Sequence, residues 1–448
     1  MNRDPGGRGL RRNSNFFYTP LNQLFSKGPL ETWAFFLILV FSNGLLAYLS
    51  LSYQTKFWIL LAGIFLPVVI YAKARPKSGL SGNSFIKGSL GLNPSWSVWG
   101  LLFGFGIFLR FFKLTNFQLW PAGDEGLQGF FAIELLKNWN WQFFYTSGQH
   151  PPLLIWLLKF FFQAFESPFF NLWFLPAIFS SLALVAGYLA ARSFLSKSSC
   201  FLFCLLLAFS FWPLCFGRYC VQGVLVPFME MLCFYFLALF LKATTPTRKK
   251  WFAVLLGFGL GIGGFTYTSW LAVILGVFII VLNHVAQKNK KDFSSLGIFC
   301  LFFLLAFSPW LMGAIREGFG GYARGLSLFS GFFSWSQQVS TTISYLTCLF
   351  WGPVEAHVGY GPVWGGILNP ILGSCFLLGA VEFFQMRRFS FRWMALIIFA
   401  IFLMPGLLSA DHVEMFRIIQ VLPLLLVVTA LGLEKLIAFI PLPKRGWL

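Results

Sequence analysis

The residues with the clearest chemical potential are two adjacent carboxylates, Asp124 and Glu125, in the stretch GDEGLQGFFAIELLKN. They follow the apolar run from Trp99 to Phe112, so they are expected at or beyond a membrane face rather than inside the hydrocarbon. Ionised carboxylates are costly in hydrocarbon, and those at the boundary of a helix bundle usually serve a function. Because the two residues are consecutive, a helix or turn points them in different directions. One shared two-carboxylate site is therefore not expected.

Two arginines and the histidines are the other candidates. Arg218, in FGRYCVQG, and Arg417, in DHVEMFRIIQ, each stand at the predicted outer end of a span. A guanidinium there either extends to lipid headgroups or grips a phosphate with two hydrogen bonds, and position does not decide between these. His150 begins a His-Pro-Pro sequence that is either a helix-entry turn or part of a binding site. His357 and His412 also fall in outer segments, where a histidine is either structural or a contact to substrate or metal.

Other titratable residues carry weaker signals. Glu230 lies inside a predicted span and Glu382 near the inner end of another. Intramembrane carboxylates are functional candidates, but pairing within the bundle is the favoured interpretation of both. Most of the eight Cys lie in apolar runs and no CxxC pair occurs, so neither a disulfide framework nor a thiolate metal site is implied. No cluster has a ligand spacing specific enough to name a metal.

The elements that position these residues are membrane-spanning helices. The 448 residues are 58% hydrophobic and 10% charged, against roughly 25% charged in an ordinary soluble domain. A hydrocarbon core of about 30 Å needs about 20 apolar residues per helix. The predicted fold class is an all-α polytopic membrane protein with about 12 transmembrane helices and amphipathic surface helices in its outer loops. The predicted spans are 31–50, 55–72, 97–112, 169–191, 200–217, 223–241, 251–268, 270–286, 296–312, 370–386, 393–409 and 418–440.

The basic residues indicate topology rather than nucleic-acid binding. The net charge of +19 is placed in short clusters at the ends of apolar runs. With the N-terminus inside, most of the 33 Lys and Arg fall in inner connections, as the positive-inside rule requires. Counting 151–166 as a span would place the following basic loops outside, so this segment is interpreted as a helix at the outer interface. The two large loop regions, 113–168 and 313–369, then both lie on the outer side, and the functional site is expected to face outward.

The order of these features resembles integral-membrane glycosyltransferases of the GT-C type. It is most similar to the PMT-type, glycosyltransferase family 39-like branch, which includes protein O-mannosyltransferases and the bacterial aminoarabinose and related polyprenyl-phosphate-sugar transferases. The resemblance covers about residues 97–440. Its most specific part is the first outer loop, where the amphipathic DEGLQGFFAIELLKN is followed by HPPLLIW. Weaker similarities lie in RYCVQGVLVPFMEMLCFYFLALFLKA, GFGLGIGGFTYTS, WGPVEAHVGYGPVWGGILNPILGSCFLLG and RIIQVLPLLLVVTALGLEKL.

The resemblance implies an enzyme that transfers a sugar from a polyprenyl-phosphate donor to a lipid, glycan or protein acceptor. Attack at the anomeric carbon needs a base for the acceptor proton and a cation for the departing phosphate. Asp124 is similar to the family's catalytic acidic residue and is the expected base, while Glu125 is expected to orient a neighbouring group or a cation. The predicted substrate contacts are His150, Arg218, Gln222, His357 and Arg417. The two arginines among them are expected to hold the phosphate.

The same resemblance implies the setting of the reaction. Its partners are the donor lipid, the bilayer and the acceptor, and the expected location is a bacterial inner membrane with the active site facing the periplasm or exterior. Phosphate chemistry often recruits a divalent cation, for which the sequence names no ligands. The predicted division of the chain is a basic cytoplasmic segment 1–30, an extra transmembrane hairpin and inner loop 31–96, a GT-C-like catalytic domain 97–440 and a tail 441–448. The run from Trp33 lacks a small-residue cleavage site and is interpreted as a retained anchor.

Two departures limit the resemblance, and one rival class remains. Where related aminoarabinose transferases carry a second Asp, this chain has Gln222 and Gly223, so a two-Asp mechanism is not carried over. The N-terminal hairpin also lies outside the resemblance. A transporter or flippase for a lipid-linked substrate would share the composition, but such proteins often show internal repeats and polar sites near the midplane. No repeat relates the two halves here and the polar residues gather outside, which favours the enzyme.

Overall fold

The computed structural model describes residues 29–48, 55, 59, 94–114, 123–137, 151–165, 167–287, 293–316, 335–351, 366–385, 389–408 and 415–438. Throughout these ranges the regular structure is helical. The α-helices are α1 Pro29–Tyr48, α2 Trp96–Phe111, α3 Gly123–Lys137, α4 Leu153–Ala164, α5 Pro168–Phe194, α6 Lys197–Phe209, α7 Phe211–Phe216, α8 Val226–Lys242, α9 Pro246–Gly263, α10 Trp270–Ala286, α11 Phe293–Arg316, α12 Trp335–Trp351, α13 Pro370–Gln385, α14 Phe389–Leu407 and α15 Leu422–Ala438. Two 3-10 segments, Gln222–Leu225 and Met415–Val421, lead into α8 and α15.

Several helices have the length and composition of membrane spans. Four stretches qualify within the described ranges, namely Phe170–Phe194, Gln222–Lys242, Phe293–Gly313 and Met415–Ala438. Shorter apolar helices of 10–17 residues account for other predicted spans. The all-α membrane fold class is therefore confirmed. The number of spans stays a prediction, because almost all of 55–72 lies outside the described residues.

One predicted span, 200–217, consists of two helices in the structure. Ser210 lies between α6 and α7 with an extended backbone, at φ −72° and ψ 154°. Pro213 has no N–H to continue the helical bonding to the carbonyl of Phe209. The apolar run therefore bends into an elbow, which hydropathy alone does not register.

Glycines allow some helix pairs to pack backbone against backbone. A Cβ added to Gly379 of α13 would lie 1.8 Å from the carbonyl oxygen of Val428, and one added to Gly432 of α15 would lie 1.8 Å from that of Cys375. Small residues permit this close approach, which stabilises helix pairs where lipid supplies no hydrophobic driving force. The Gly-rich sequence of α9 does the same against α11, since a Cβ at Gly257 would lie 2.4 Å from an α11 carbonyl.

The extra N-terminal helix α1 is part of the bundle. Its Asn43 is fully buried and donates from Nδ2 to Ser374 Oγ of α13 at 3.0 Å. Trp351 Nε1, at the end of α12, donates to Asn43 Oδ1 at 3.1 Å. A buried amide bonded on both sides fixes the register of α1 against two helices of the C-terminal half.

Two short helices, α3 and α4, lie in the first predicted outer region. At about 1.5 Å per residue, the 12 residues of α4 extend about 18 Å, well short of the roughly 30 Å hydrocarbon core. The interpretation of 151–166 as a non-spanning helix agrees with this length. The backbone N–H of Leu153 donates to Phe265 O at 3.1 Å, which fastens the start of α4 to the turn after α9.

Candidate active site

Asp124 and Glu125 occupy the first turn of α3 and face opposite environments. Asp124 is exposed, whereas Glu125 is fully buried. The predicted separation of the two carboxylates is confirmed. An added Cβ at Gly123 or Gly126 would meet no atom within 4 Å, so the space beside Asp124 is open in the described part of the chain. Among the described residues, the Asp124 side chain is accessible and the Glu125 side chain is not.

Glu125 anchors α3 to the chain that follows α7. Its Oε1 accepts a hydrogen bond of 2.8 Å from the backbone N–H of Cys220. A carboxylate that accepts from a backbone N–H makes one of the stronger protein hydrogen bonds, and the positive end of the α3 macrodipole favours its charge further. Burial, and to a lesser extent the Glu125 carboxylate, raise the pKa of the Cys220 thiol well above its usual value. Glu125 therefore links the first turn of α3 to the segment around Cys220, and its predicted role in orienting a neighbouring group or a cation stays a prediction.

An apolar cluster holds α3 and α4 in place. It joins Phe131, Ala132 and Leu135 of α3 to buried residues of α4, α5, the first 3-10 segment and the chain just before that segment, which are Leu154, Ile155, Leu158, Leu172, Leu175, Cys220, Val224 and Leu225. Cys220 is thus both a cluster member and the donor to Glu125. The position of Asp124 follows from this packing, because its neighbours in α3 cannot move without opening the cluster.

Arg218 lies two residues before Cys220 and caps the end of α2. Its Nη2 donates to Leu109 O at 2.8 Å and also contacts Phe112 O. These carbonyls belong to the last turn of a helix, where intrahelical donors run out. Burial lowers the pKa of Arg218, although the nearby Cys215 and Tyr219 oppose that shift. The predicted phosphate contact of Arg218 stays a prediction, and part of its hydrogen-bonding capacity is used for capping.

The two 3-10 segments bring Gln222 and Arg417 to the same end of the bundle. Gly223 faces Phe416, since its added Cβ would lie 3.4 Å from Phe416 Cβ. Gln222 is buried and Arg417 is partly buried. The backbone departs from helical geometry at Ile418, with φ −120° and ψ 18°. The structure thus places the segments that carry Gln222 and Arg417 in direct contact.

The remaining sequence candidates are three histidines and two glutamates. His150, His357 and His412 are outside the described residues. Glu230 is fully buried in α8, and neither of its oxygens has a hydrogen-bond partner within the described ranges. Glu382 pairs with Lys435 at 3.3 Å, which is the pairing within the bundle that the sequence favours. Among the residues that the structure describes, no group of three or more His, Cys, Asp and Glu could hold a metal ion.

One functional candidate was missed by sequence reasoning. Arg110, in the last turn of α2, is 1% exposed and bonded to four oxygen atoms. The sequence does contain a signal for Arg110, since it is a single cation in an apolar run and an intramembrane charge is a functional candidate by default. Hydropathy registers the length of the run 97–112 and not the role of the one cation within it.

The chain has the fold of an integral-membrane glycosyltransferase of the GT-C class. ArnT from Cupriavidus metallidurans bound to undecaprenyl phosphate matches with a TM-score of 0.50 at 15% identity, covering 79% of this chain and 62% of ArnT. The apo state of the same protein matches with a TM-score of 0.50, covering 78% of this chain and 61% of that one. The apo oligosaccharyltransferase of Archaeoglobus fulgidus gives 0.49 at 17% identity, covering 76% and 50%. The chain therefore spans under two thirds of the length of each.

A family model agrees in class with this fold. Residues 149–312 match the model described as dolichyl-phosphate-mannose-protein mannosyltransferase. This match covers less than half of the chain and includes the elbow, Arg218 and Gln222. The sequence has no significant match among curated proteins. In fold and in this segment the chain is similar to the protein O-mannosyltransferase and ArnT-like group.

Proposed function

We propose that this protein is a glycosyltransferase that moves a sugar from a polyprenyl-phosphate-linked donor to a lipid, glycan or protein acceptor, with Asp124 as the general base. The observation that carries the proposal is the pairing of an exposed Asp124 with a buried, anchored Glu125 on the first turn of α3. This arrangement presents one carboxylate to substrate and uses the other to fix its position. The fold and the matched family segment support the reaction class.

Asp124 takes the acceptor proton. An acceptor hydroxyl that approaches the open side of α3 transfers its proton to the Asp124 carboxylate as its oxygen attacks the anomeric carbon. The bond from that carbon to the phosphate oxygen breaks in the same step, and polyprenyl phosphate departs with the electron pair. A positioned general base of this kind contributes typically about 10²- to 10⁴-fold to the rate.

Arg417 stabilises the departing phosphate. A guanidinium offers two parallel donors to two phosphate oxygens, and a fixed cation at developing negative charge lowers the barrier. Arg417 is partly buried in a 3-10 segment, which limits its freedom. Gln222, on the adjoining segment, occupies the place where a second Asp would complete a two-Asp site, and its uncharged amide suits contact with sugar hydroxyls.

The reaction faces the outer side of the membrane. Positive-inside topology places the basic loops Lys242–Lys250 and Arg387–Arg392 on the opposite side from Asp124. A periplasmic site in a bacterial inner membrane is the corresponding location. Donor and acceptor then reach Asp124 from the outer leaflet or from the solution beside it.

The test is consumption of donor by the purified protein. The full chain in lipid nanodiscs is incubated with polyprenyl phosphates that carry mannose, aminoarabinose, glucose or other sugars, each with a hydroxyl-bearing acceptor. Mass spectrometry then follows the release of free polyprenyl phosphate. Wild-type protein should consume at least one donor and Asp124→Asn should not. In sealed proteoliposomes, movement of intact donor across the bilayer without consumption would instead indicate a flippase.

A further inference from the structure

Arg110 ties the end of α2 to the elbow between α6 and α7. Its Nε donates to Ser180 Oγ at 2.7 Å, and its Nη2 donates to Leu207 O at 3.0 Å. Its Nη1 donates to Gly106 O at 2.7 Å and to Ala208 O at 3.3 Å. Every one of these acceptors is a carbonyl or hydroxyl oxygen. The buried charge is therefore balanced by oriented dipoles rather than by a carboxylate in these bonds.

Two of the four acceptors are carbonyls that the end of α6 leaves open. Leu207 and Ala208 lie in the last turn of α6, which ends at Phe209. The final carbonyls of a helix have no intrahelical donors and carry the negative end of its dipole, so a guanidinium at this place satisfies them and is itself stabilised. Ser180 extends the link, because its hydroxyl accepts from Arg110 and lies 3.2 Å from Pro213 O in α7, to which it donates.

Arg218 makes the reciprocal connection. It follows α7 and donates to Leu109 O and Phe112 O at the end of α2. Arg110 thus bonds the end of α6 from α2, and Arg218 caps the end of α2 from the chain that follows α7. The end of α2 and the elbow are fastened to each other from both sides.

The contacts of segment 218–220 determine where Asp124 lies. Phe112 directly follows α2, and its carbonyl oxygen accepts a hydrogen bond from Arg218. Glu125 lies in the first turn of α3, and its carboxylate accepts a hydrogen bond from the N–H of Cys220. Both ends of the loop that leads to Asp124 are therefore attached to the same short segment, 218–220. Any shift of this segment would move the first turn of α3 and the carboxylate on it.

We propose that Arg110 is a positioning residue for Asp124, acting through the elbow and the 218–220 segment. Its role is not to contact substrate but to fix the position of segment 218–220, which bonds to Phe112 O and to Glu125. The consequence for catalysis rests on the proposed function of Asp124, whereas the consequence for the 218–220 segment does not. This difference allows the two proposals to fail separately.

The test compares Arg110→Lys and Ser180→Ala with a matched control. Lysine keeps the charge but lacks the fork that reaches four oxygens. Ser180→Ala removes the hydroxyl that joins Arg110 to α7 and leaves the Arg110 bonds to the α6 carbonyls in place. The control is Ser199→Ala, at the opposite end of the same helix α6, where Ser199 donates to the buried Glu434. It removes a buried hydrogen bond without touching the elbow.

Three measurements are made on the full chain in nanodiscs. Backbone hydrogen exchange, measured on overlapping peptides across 215–225 so that single amides are resolved, reports the Cys220 N–H. Thermal unfolding reports general stability, and steady-state kinetics separate kcat from the donor KM. Arg110→Lys should speed exchange at Cys220 and lower kcat by about 10- to 100-fold with the donor KM unchanged, because displacement of a reacting group by about 1 Å can cost that much. Ser180→Ala should act in the same direction but less.

The control separates a general loss of stability from a loss of positioning at Cys220. Ser199→Ala should lower thermal stability while leaving Cys220 exchange and kcat as in the wild type. Arg110→Lys with wild-type exchange at Cys220 overturns the positioning role, and so does faster exchange with kcat retained. If the wild type consumes no donor, the proposed function fails, and exchange at Cys220 alone then decides whether Arg110 holds the segment.

Discussion

The carboxylate of Glu125 accepts a hydrogen bond of 2.8 Å from the backbone N–H of Cys220, 95 residues further along the chain. This bond crosses from a short helix before α5 to the segment after α7, and it fixes the turn that carries Asp124. The same segment is bonded through Arg218 to the end of α2. Among the described residues, the turn that carries Asp124 is therefore held by a short stretch of backbone, residues 218–220.

Loss of Glu125 should destabilise the protein and loosen Cys220. Glu125→Ala leaves a buried backbone N–H without its acceptor, which costs about 1–3 kcal/mol, whereas Glu125→Gln keeps an acceptor oxygen and should cost less. Thermal unfolding in detergent measures the difference. Equal stability of the wild type and Glu125→Ala would show that the bond contributes nothing to the fold.

Cys220 should stay a neutral thiol at alkaline pH. Burial, assisted by Glu125, raises its pKa in the folded state, above the value of about 8.5 expected for the unfolded chain. The stability that this thiol contributes is fully present below about pH 8.5 and is lost as the pH rises through the raised pKa. Alkylation of native protein by a maleimide, followed by mass spectrometry, should therefore modify Cys220 slowly even above that pH. Rapid modification would contradict the buried, protonated state.

Asp124→Asn should abolish most turnover without unfolding the protein. The amide keeps the shape of the side chain but cannot accept the proton, so kcat should fall about 10²- to 10⁴-fold. Binding of the donor lipid should be retained, since Asp124 acts on the acceptor. Asp124→Glu, which restores a carboxylate on a longer stem, should recover part of the rate. Wild-type turnover by folded Asp124→Asn would remove the residue from the mechanism.

Arg417→Ala should weaken use of the donor, and Arg417→Lys should restore only part of it. Lysine supplies the charge but not the two-pronged contact to phosphate. The matched control is Arg192→Ala, an exposed arginine in the last turn of α5 whose Nη1 lies 3.4 Å from Tyr188 Oη. A donor KM raised only by the Arg417 variants would support phosphate binding. A donor KM unchanged in Arg417→Ala would mean that this guanidinium only extends toward lipid.

Gly379→Ala should disrupt the pairing of α13 with α15. The added Cβ would lie 1.8 Å from Val428 O, a backbone atom that cannot swing aside, and overpacking of this kind costs typically about 1–3 kcal/mol or more. Gly100→Ala in α2 is the control, because a Cβ there meets no atom within 4 Å in the described structure. That variant should unfold at the same temperature as the wild type or slightly higher, since Ala is the better helix former. Similar losses in both variants would argue against a close helix crossing.

Some of the architecture was predictable from the sequence because the constraints on it are local. The thickness of the hydrocarbon core sets the length of an apolar run, and the predicted span 169–191 accordingly coincides with most of α5, Pro168–Phe194. The opposite directions of Asp124 and Glu125 were predictable for the same reason, since consecutive residues of a helix diverge. The elbow at Ser210 was not, because hydropathy does not register where an apolar run bends.

Only the tertiary structure decided how the candidate site is held together. Glu125 is bonded to the backbone N–H of Cys220, Arg110 to carbonyls of α6, and Arg218 to carbonyls of α2. The partners are 95 residues or more apart in each case, with separations of 95, 98 and 109 residues. Every non-proline residue carries a backbone N–H, and every residue carries a C=O, so the residue types at 109, 208 and 220 give no sign of these bonds. Which backbone groups a buried charge meets depends on where helices end and cross, and that is set by packing.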